Sequence, residues 1–281
     1  DPRLMAESIQ IPARDGYLLG ATLFRAATPR LGAVVINPAM AVPQRLYAAF
    51  AGFLASRGFD VVTYDYRGVG RSKPKRLAGF EADVSDWAEL DQAGVLDWAR
   101  GTLGQLTLVG HSLGGQMVGM IEPHPAVARI VTFAAQTGYW RSFPYRRRYS
   151  YATAFFVLIP VLSRVAGYFP ASKIGLGEDV PSGAARQWAG WCRRPGYFVD
   201  TPDVPELHFS KISTPVTVCG FSDDPMAPRH NIDTLAALFP PGIVQRVHLE
   251  AADGQSGRIG HFGFFSSGQR DRLWERCLGW L

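Results

Sequence analysis

Residues 106 to 115, Leu-Thr-Leu-Val-Gly-His-Ser-Leu-Gly-Gly, constrain this chain more than any other segment. An apolar, β-prone run of Leu106, Leu108 and Val109 ends in Gly110-His111-Ser112-Leu113-Gly114. That is the G-x-S-x-G pattern, which sets a serine on a sharp strand-to-helix turn. Such a turn holds its serine in a strained backbone conformation. Side chains two residues to either side would clash, which accounts for the glycines. The turn lifts the Ser112 hydroxyl clear of the sheet. A helix is expected next, over Gln116 to Ile121, and its free N–H groups and positive dipole end suit developing negative charge.

The surroundings of this segment have the rhythm that the pattern requires. Glu7 to Pro12 and Tyr17 to Phe24 flank Arg14-Asp15-Gly16, a hairpin signal. Ala33 to Ile36 and Val61 to Tyr64 are short apolar runs of the buried-strand kind. Between them Leu46, Phe50, Phe53 and Leu54 recur at helical spacing, and Gly58 supplies a stop. Trp87, Leu90, Val95 and Trp98 mark a second amphipathic helix, and Ala128 to Ala135 reads as the strand after the serine turn. Alternating strands and helices predict an α/β fold, a mostly parallel central sheet with helices on both faces. The rhythm breaks near Gln136. Residues 136–200 are rich in aromatics, with Trp140, Phe155, Phe156, Trp188 and Trp191 among them, and carry helical patterns. It resumes with a strand at Pro215 to Phe221, a helix at Ile232 to Phe239, a strand at Val244 to Leu249 and a helix at Gln269 to Leu281. The expected organisation is therefore a core of residues 1–135 and 201–281 interrupted by a mainly helical cap, or lid, of residues 136–200.

Composition narrows the function. A chain of 281 residues, 47% hydrophobic, can bury a substantial core. A net charge of +5 is small for this length, and no zinc-finger or RNA-binding motif accompanies it, so nucleic acid is not an expected partner. The one dense basic cluster, Arg146-Arg147-Arg148 with Arg141 nearby, reads first as a solvated face or a set of ion pairs. Cys192, Cys219 and Cys277 are odd in number and far apart, so no disulfide framework or metal site follows. The longest apolar candidate, Ala152 to Val165, is interrupted by Pro160, Ser163 and Arg164, and no membrane span is expected. No signal peptide is visible at Asp1, and a cytoplasmic location is the default expectation.

A serine hydroxyl is a poor nucleophile at neutral pH. It needs a base within hydrogen-bond reach, and the base needs an orienting carboxylate. On this architecture the chain order is Ser, then Asp or Glu, then His, each at the carboxyl end of a strand. After the strand ending at Phe221 come Ser222-Asp223-Asp224-Pro225. Either Asp223 or Asp224 can be the acid. Asp224 is preferred, with Asp223 as a turn or capping residue. After the last strand comes Gly260-His261-Phe262-Gly263-Phe264-Phe265, which makes His261 the base. His111 belongs to the elbow and is expected to point away from the chemistry. An oxyanion would need two donors, the N–H of Leu113 and one from the loop Asn37-Pro38-Ala39-Met40-Ala41. Pro38 has no N–H, so Ala39 or Met40 must donate, with Ala39 preferred.

Together Asn37-Pro38-Ala39-Met40, Asp65-Tyr66-Arg67-Gly68-Val69-Gly70-Arg71-Ser72, Gly110-His111-Ser112-Leu113-Gly114-Gly115, Asp224 and His261 resemble the α/β-hydrolase superfamily. The second segment looks like the D-x-R-G-x-G-x-S run of esterase and lipase-like members. The chain is similar to the bacterial serine-hydrolase branch that includes monoacylglycerol-lipase-like and homoserine-acetyltransferase-like proteins. Members commonly carry His-Gly where this chain has Asn37-Pro38. The resemblance implies a serine hydrolase acting on a small-molecule carboxylic ester through an acyl-serine. The aromatic cap suggests an apolar acyl or aromatic substrate. The same triad would serve an acyltransferase with a non-water acceptor, and a catalytically silent, hydrolase-fold binding protein is the non-enzyme alternative. No cofactor or metal is expected, because no metal-ligand cluster or phosphate loop appears.

Overall fold

The computed structural model describes residues 6–27, 29–199, 201–204 and 206–281. Eight strands make one sheet: β1 (Ala6–Pro12), β2 (Leu18–Phe24), β3 (Gly32–Asn37), β4 (Phe59–Tyr64), β5 (Leu106–His111), β6 (Val127–Phe133), β9 (Val216–Phe221) and β10 (Val244–Leu249). Their order is β1-β2-β4-β3-β5-β6-β9-β10. The hairpin β1–β2 and the β2–β4 pair are antiparallel, and every other pairing is parallel. Helices α1 (Ala48–Ser56), α2 (Ala93–Leu103) and α6 (Arg229–Ala236) belong to the crossovers and cover the two faces. Strands covered on both sides must be apolar at successive positions, and Val34, Val35 and Ile36 in β3 and Leu106 to Val109 in β5 are all buried. The register sets Asn37 beside Gly110, His111 beside Phe133 and Phe221 beside Leu249. The loops after β3, β5, β9 and β10 therefore open at one edge of the sheet, where ligands bind in folds of this class.

The segment between β6 and β9 adds no strand to the main sheet. It holds α4 (Tyr145–Ala166), with a wide π-type stretch at Ala154–Leu158, and α5 (Ser182–Cys192). It also has its own antiparallel pair of β7 (Tyr168–Phe169) with β8 (Val180–Pro181). Helix α4 is apolar on two faces. Its inner residues Phe155, Ile159 and Ser163 are buried, and the Phe155 ring stands edge-on to Trp188 of α5 at 5.2 Å. By length and composition this 22-residue helix is long and apolar enough to cross a membrane, which the interruptions at Pro160 and Arg164 did not suggest.

Two elements differ from expectation. The helix after the serine turn, α3, is only Leu113–Gln116, followed by a 3₁₀ turn at Met117–Gly119. Gly114 and Gly115 are poor helix formers. Phe209 also presses on the segment, because a Cβ at Gly119 would sit 2.3 Å from its ring. So short a helix contributes local N–H groups rather than a long dipole. The C-terminal segment is helical from Ser267 to Trp280 but wound in short stretches of different pitch. It is pinned by Trp274, whose indole N–H donates to the Phe264 carbonyl at 2.6 Å.

Candidate active site

Ser112 sits at φ 51°, ψ −116°, a conformation that costs a non-glycine residue free energy. The surrounding hydrogen bonds hold it there: its N–H donates to Phe133 O at 2.8 Å, and its carbonyl accepts from Gly115 and Gln116. The flanking glycines are required by close approach. A Cβ at Gly110 would lie 2.5 Å from Gly115 Cα, and one at Gly114 would lie 2.4 Å from Asn37 O. The elbow is thus wedged against its own helix and the end of β3. Ser112 keeps 9% of its surface, and its hydroxyl makes no hydrogen bond among the described residues.

The two aspartates after β9 have separate tasks. Asp224 Oδ2 lies 2.7 Å from His261 Nδ1, and both side chains are buried. Its other oxygen accepts from the N–H groups of Met226 and Ala227 at 2.8 and 3.1 Å. A buried carboxylate needs that many partners. Asp223 instead receives the N–H groups of Ile259 and Gly260, both at 2.9 Å. It clasps the backbone just before His261. With Nδ1–H donating to Asp224, the His261 Nε2 lone pair is the free one. The structure draws no hydrogen bond between Ser112 and His261. It does place His261 against the elbow, with the His111 and His261 rings 5.2 Å apart.

The His111 side chain is engaged on both ring nitrogens, neither of them with Ser112. Its Nε2 lies 2.8 Å from the carbonyl of His261, and its Nδ1 lies 2.8 Å from Tyr47 Oη. Burial, reinforced by the neighbouring His261, holds its pKa well below the ordinary histidine value, so the ring is neutral. Tyr47 then donates to Nδ1, and Nε2–H donates to the His261 carbonyl. The phenol oxygen in turn accepts the Ala39 N–H at 2.9 Å. A buried chain of hydrogen bonds therefore runs from the loop after β3, through Tyr47 and His111, to the backbone of His261.

That chain corrects the assignment of Ala39. Its N–H is engaged by Tyr47 and does not face an open site. Among the described residues, the N–H groups of Met40 and Leu113 carry no hydrogen bond, so Met40, the other candidate, has the uncommitted donor. Asn37 fixes the same loop, because its amide donates to Gln92 at 2.6 Å and to Gly114 O at 3.2 Å and its oxygen accepts from Tyr64 at 2.7 Å. A histidine-glycine pair could not make that set of bonds. The segment from Asp65 to Ser72 is structural. Asp65 accepts from the N–H groups of Gln44 and Arg71, and Arg67 is buried between Asp15 and Asp91. Tyr66 stacks on Trp87 and reaches Pro38 O at 3.2 Å, which braces the loop after β3 from below.

Behind His261, Phe264 stacks on Phe133 at 4.2 Å, and Phe265 packs edge-on to Tyr47 at 4.8 Å. The loop that presents the histidine is thereby anchored in the core on one side and clasped by Asp223 on the other. The inserted segment is tied to the elbow through Gln116, which accepts from Tyr197 Oη at 2.9 Å and donates to Gln136 at 3.3 Å. The sequence carried no marker for Tyr47, because a tyrosine at the start of α1 reads as core. The three cysteines are buried and burial raises their thiol pKa, so none is an activated nucleophile.

The sequence model of the alpha/beta hydrolase family matches residues 19–270, and the chain belongs to that family. No curated protein matches it by sequence. Among solved structures it is similar to an esterase from Exiguobacterium antarcticum, with a TM-score of 0.66, 17% identity, and coverage of 97% of this chain and 98% of that one. It is also similar to the alpha/beta hydrolase GrgF from Penicillium sp. sh18, with a TM-score of 0.65, 18% identity, and coverage of 98% and 97%. An esterase from Pyrococcus furiosus has a TM-score of 0.64 and 13% identity, covering 100% of this chain and 94% of that one. At these identities the likeness concerns the fold.

Proposed function

We propose that the chain is a serine hydrolase that cleaves carboxylic esters through an acyl-serine intermediate. The observation that carries the reading is the buried His261–Asp224 pair, set by the loops after β9 and β10 beside the strained Ser112 turn. In this reading Ser112 Oγ attacks the ester carbonyl while His261 Nε2 takes its proton, and Asp224 stabilises the imidazolium that forms. The Leu113 and Met40 N–H groups hold the tetrahedral oxyanion. Its collapse expels the alcohol, which receives the proton from His261. Water, deprotonated by the same nitrogen, then releases the acid. An open Ser–His distance in the free enzyme is common and closes when substrate binds.

Residues 136–200 act as the cap in this reading. Tyr151 of α4 packs against the core, and burial raises its phenol pKa, with a smaller contribution from the charge of Asp224. With Phe143 and Phe155 packed around Tyr151, an apolar acyl or aromatic group is the substrate class that fits. Turnover of p-nitrophenyl butyrate tests the proposal. The wild-type chain should hydrolyse it, and Ser112→Ala should fall to the uncatalysed background with an unchanged circular dichroism spectrum. Turnover retained in a folded Ser112→Ala protein would overturn it.

A further inference from the structure

Helix α4 keeps an apolar stripe on the face turned away from the protein. Phe156, Val157, Val161 and Val165 are 48%, 54%, 52% and 82% exposed. They recur at i, i+1, i+5 and i+9, and Tyr145 and Tyr149 extend the exposed surface toward the N-terminal end. A helix on a water-soluble surface ordinarily turns polar residues outward, and here the inner face of Phe155, Ile159 and Ser163 already does the packing. The charge carried by this stretch of chain has one sign. Residues 136–177 contain Arg141, Arg146, Arg147, Arg148, Arg164 and Lys173 and no acidic residue. None of the four arginines of α4 forms an ion pair among the described residues. The Arg193 guanidinium lies over the Phe156 ring at 5.7 Å, beside the stripe.

From this arrangement we infer that α4 is the surface by which the protein docks on an anionic lipid bilayer. The helix lies in the plane of the interface. The valines and Phe156 enter the acyl boundary, the tyrosines sit at headgroup level, and the arginines bind lipid phosphates. Arginine stems can lie along apolar surface while their heads reach the phosphates, which suits a helix with arginines at both ends. A helix whose charged residues are all arginines matches a uniformly anionic partner better than it matches a protein surface of mixed charge. The inference is independent of the ester chemistry, since no residue in it belongs to the Ser112 site.

Sedimentation with vesicles of phosphatidylcholine alone, and of phosphatidylcholine mixed with phosphatidylglycerol, tests it. The protein should pellet with the mixed vesicles and much less with the neutral ones, and added salt should release it. Ser112→Ala should bind as the wild type does, so failure of the catalytic reading would leave this result intact. Val157→Glu with Val161→Glu should weaken binding about tenfold or more. Arg146→Gln should weaken it about fivefold and reduce the salt dependence. Both variants change exposed positions, and an unchanged circular dichroism spectrum would establish that they fold. No pelleting with mixed vesicles overturns the inference, and so does pelleting that the glutamates leave unchanged. Equal binding to neutral vesicles overturns its anionic part. A dimer in solution that Val161→Glu dissociates, without vesicle binding, would give the stripe to a second copy of the chain instead.

Discussion

Two neighbouring carboxylates carry different loads, and the difference can be measured. Asp224 shares its carboxylate between the imidazole of His261 and two main-chain N–H groups, whereas Asp223 touches only the backbone ahead of His261. If Asp224 orients the base, Asp224→Asn should keep the fold and lower kcat by about 10³–10⁴-fold, because an amide in that place favours the wrong imidazole tautomer. Asp223→Asn leaves one acceptor oxygen for two donors. It should cost much less in kcat and appear mainly as lost stability, about 1 kcal/mol, from the unpaired N–H. Steady-state kinetics and urea unfolding of both variants check this, and a larger kcat loss at Asp223 would reverse the roles. The sequence puts both acids in the turn after the strand ending at Phe221. It favoured Asp224 without a physical criterion, since the choice depends on which side chain faces the histidine.

The end of β5 and the start of α1 act together through His111 and Tyr47, and their coupling has a pH signature. In the folded protein His111 is buried, bonded on both nitrogens and held neutral. Unfolding exposes it to its ordinary pKa of about 6.5. Between the lowered folded value and 6.5 the unfolded chain binds a proton that the native one does not, so stability rises with pH across that window. The contribution is complete above about pH 6.5 and is lost as the pH falls below it, by at most about 1.4 kcal/mol per pH unit. His111→Gln should be less stable at neutral pH but flatter in its acid dependence, read by urea unfolding at a series of pH values. An equal slope in the variant would remove His111 from the account. The same elements mark where sequence reading reached its limit. The elbow glycines were legible because backbone approach leaves a compositional trace. The Tyr47–His111 chain was not, because its members are distant in sequence and each alone resembles a core residue.

At the scale of the whole molecule the strand rhythm was enough to place the sheet, the crossovers and the interruption after β6, because buried parallel strands read as continuous apolar runs. What escaped it depends on tertiary contact: the shortening of α3 against Phe209, the engagement of the Ala39 N–H and the outward apolar face of α4. A pattern of apolar residues does not say which face of a helix meets the protein. The central claim concerns one atom, Ser112 Oγ, activated by a buried pair on loops far away in sequence. The most direct measurement is covalent labelling with a fluorophosphonate, read by intact mass and peptide mapping of the folded protein. The account predicts one adduct per chain on the peptide containing Ser112, none in Ser112→Ala and much slower labelling in His261→Ala. A folded wild-type chain that takes no label, or an adduct that persists in Ser112→Ala, would contradict it.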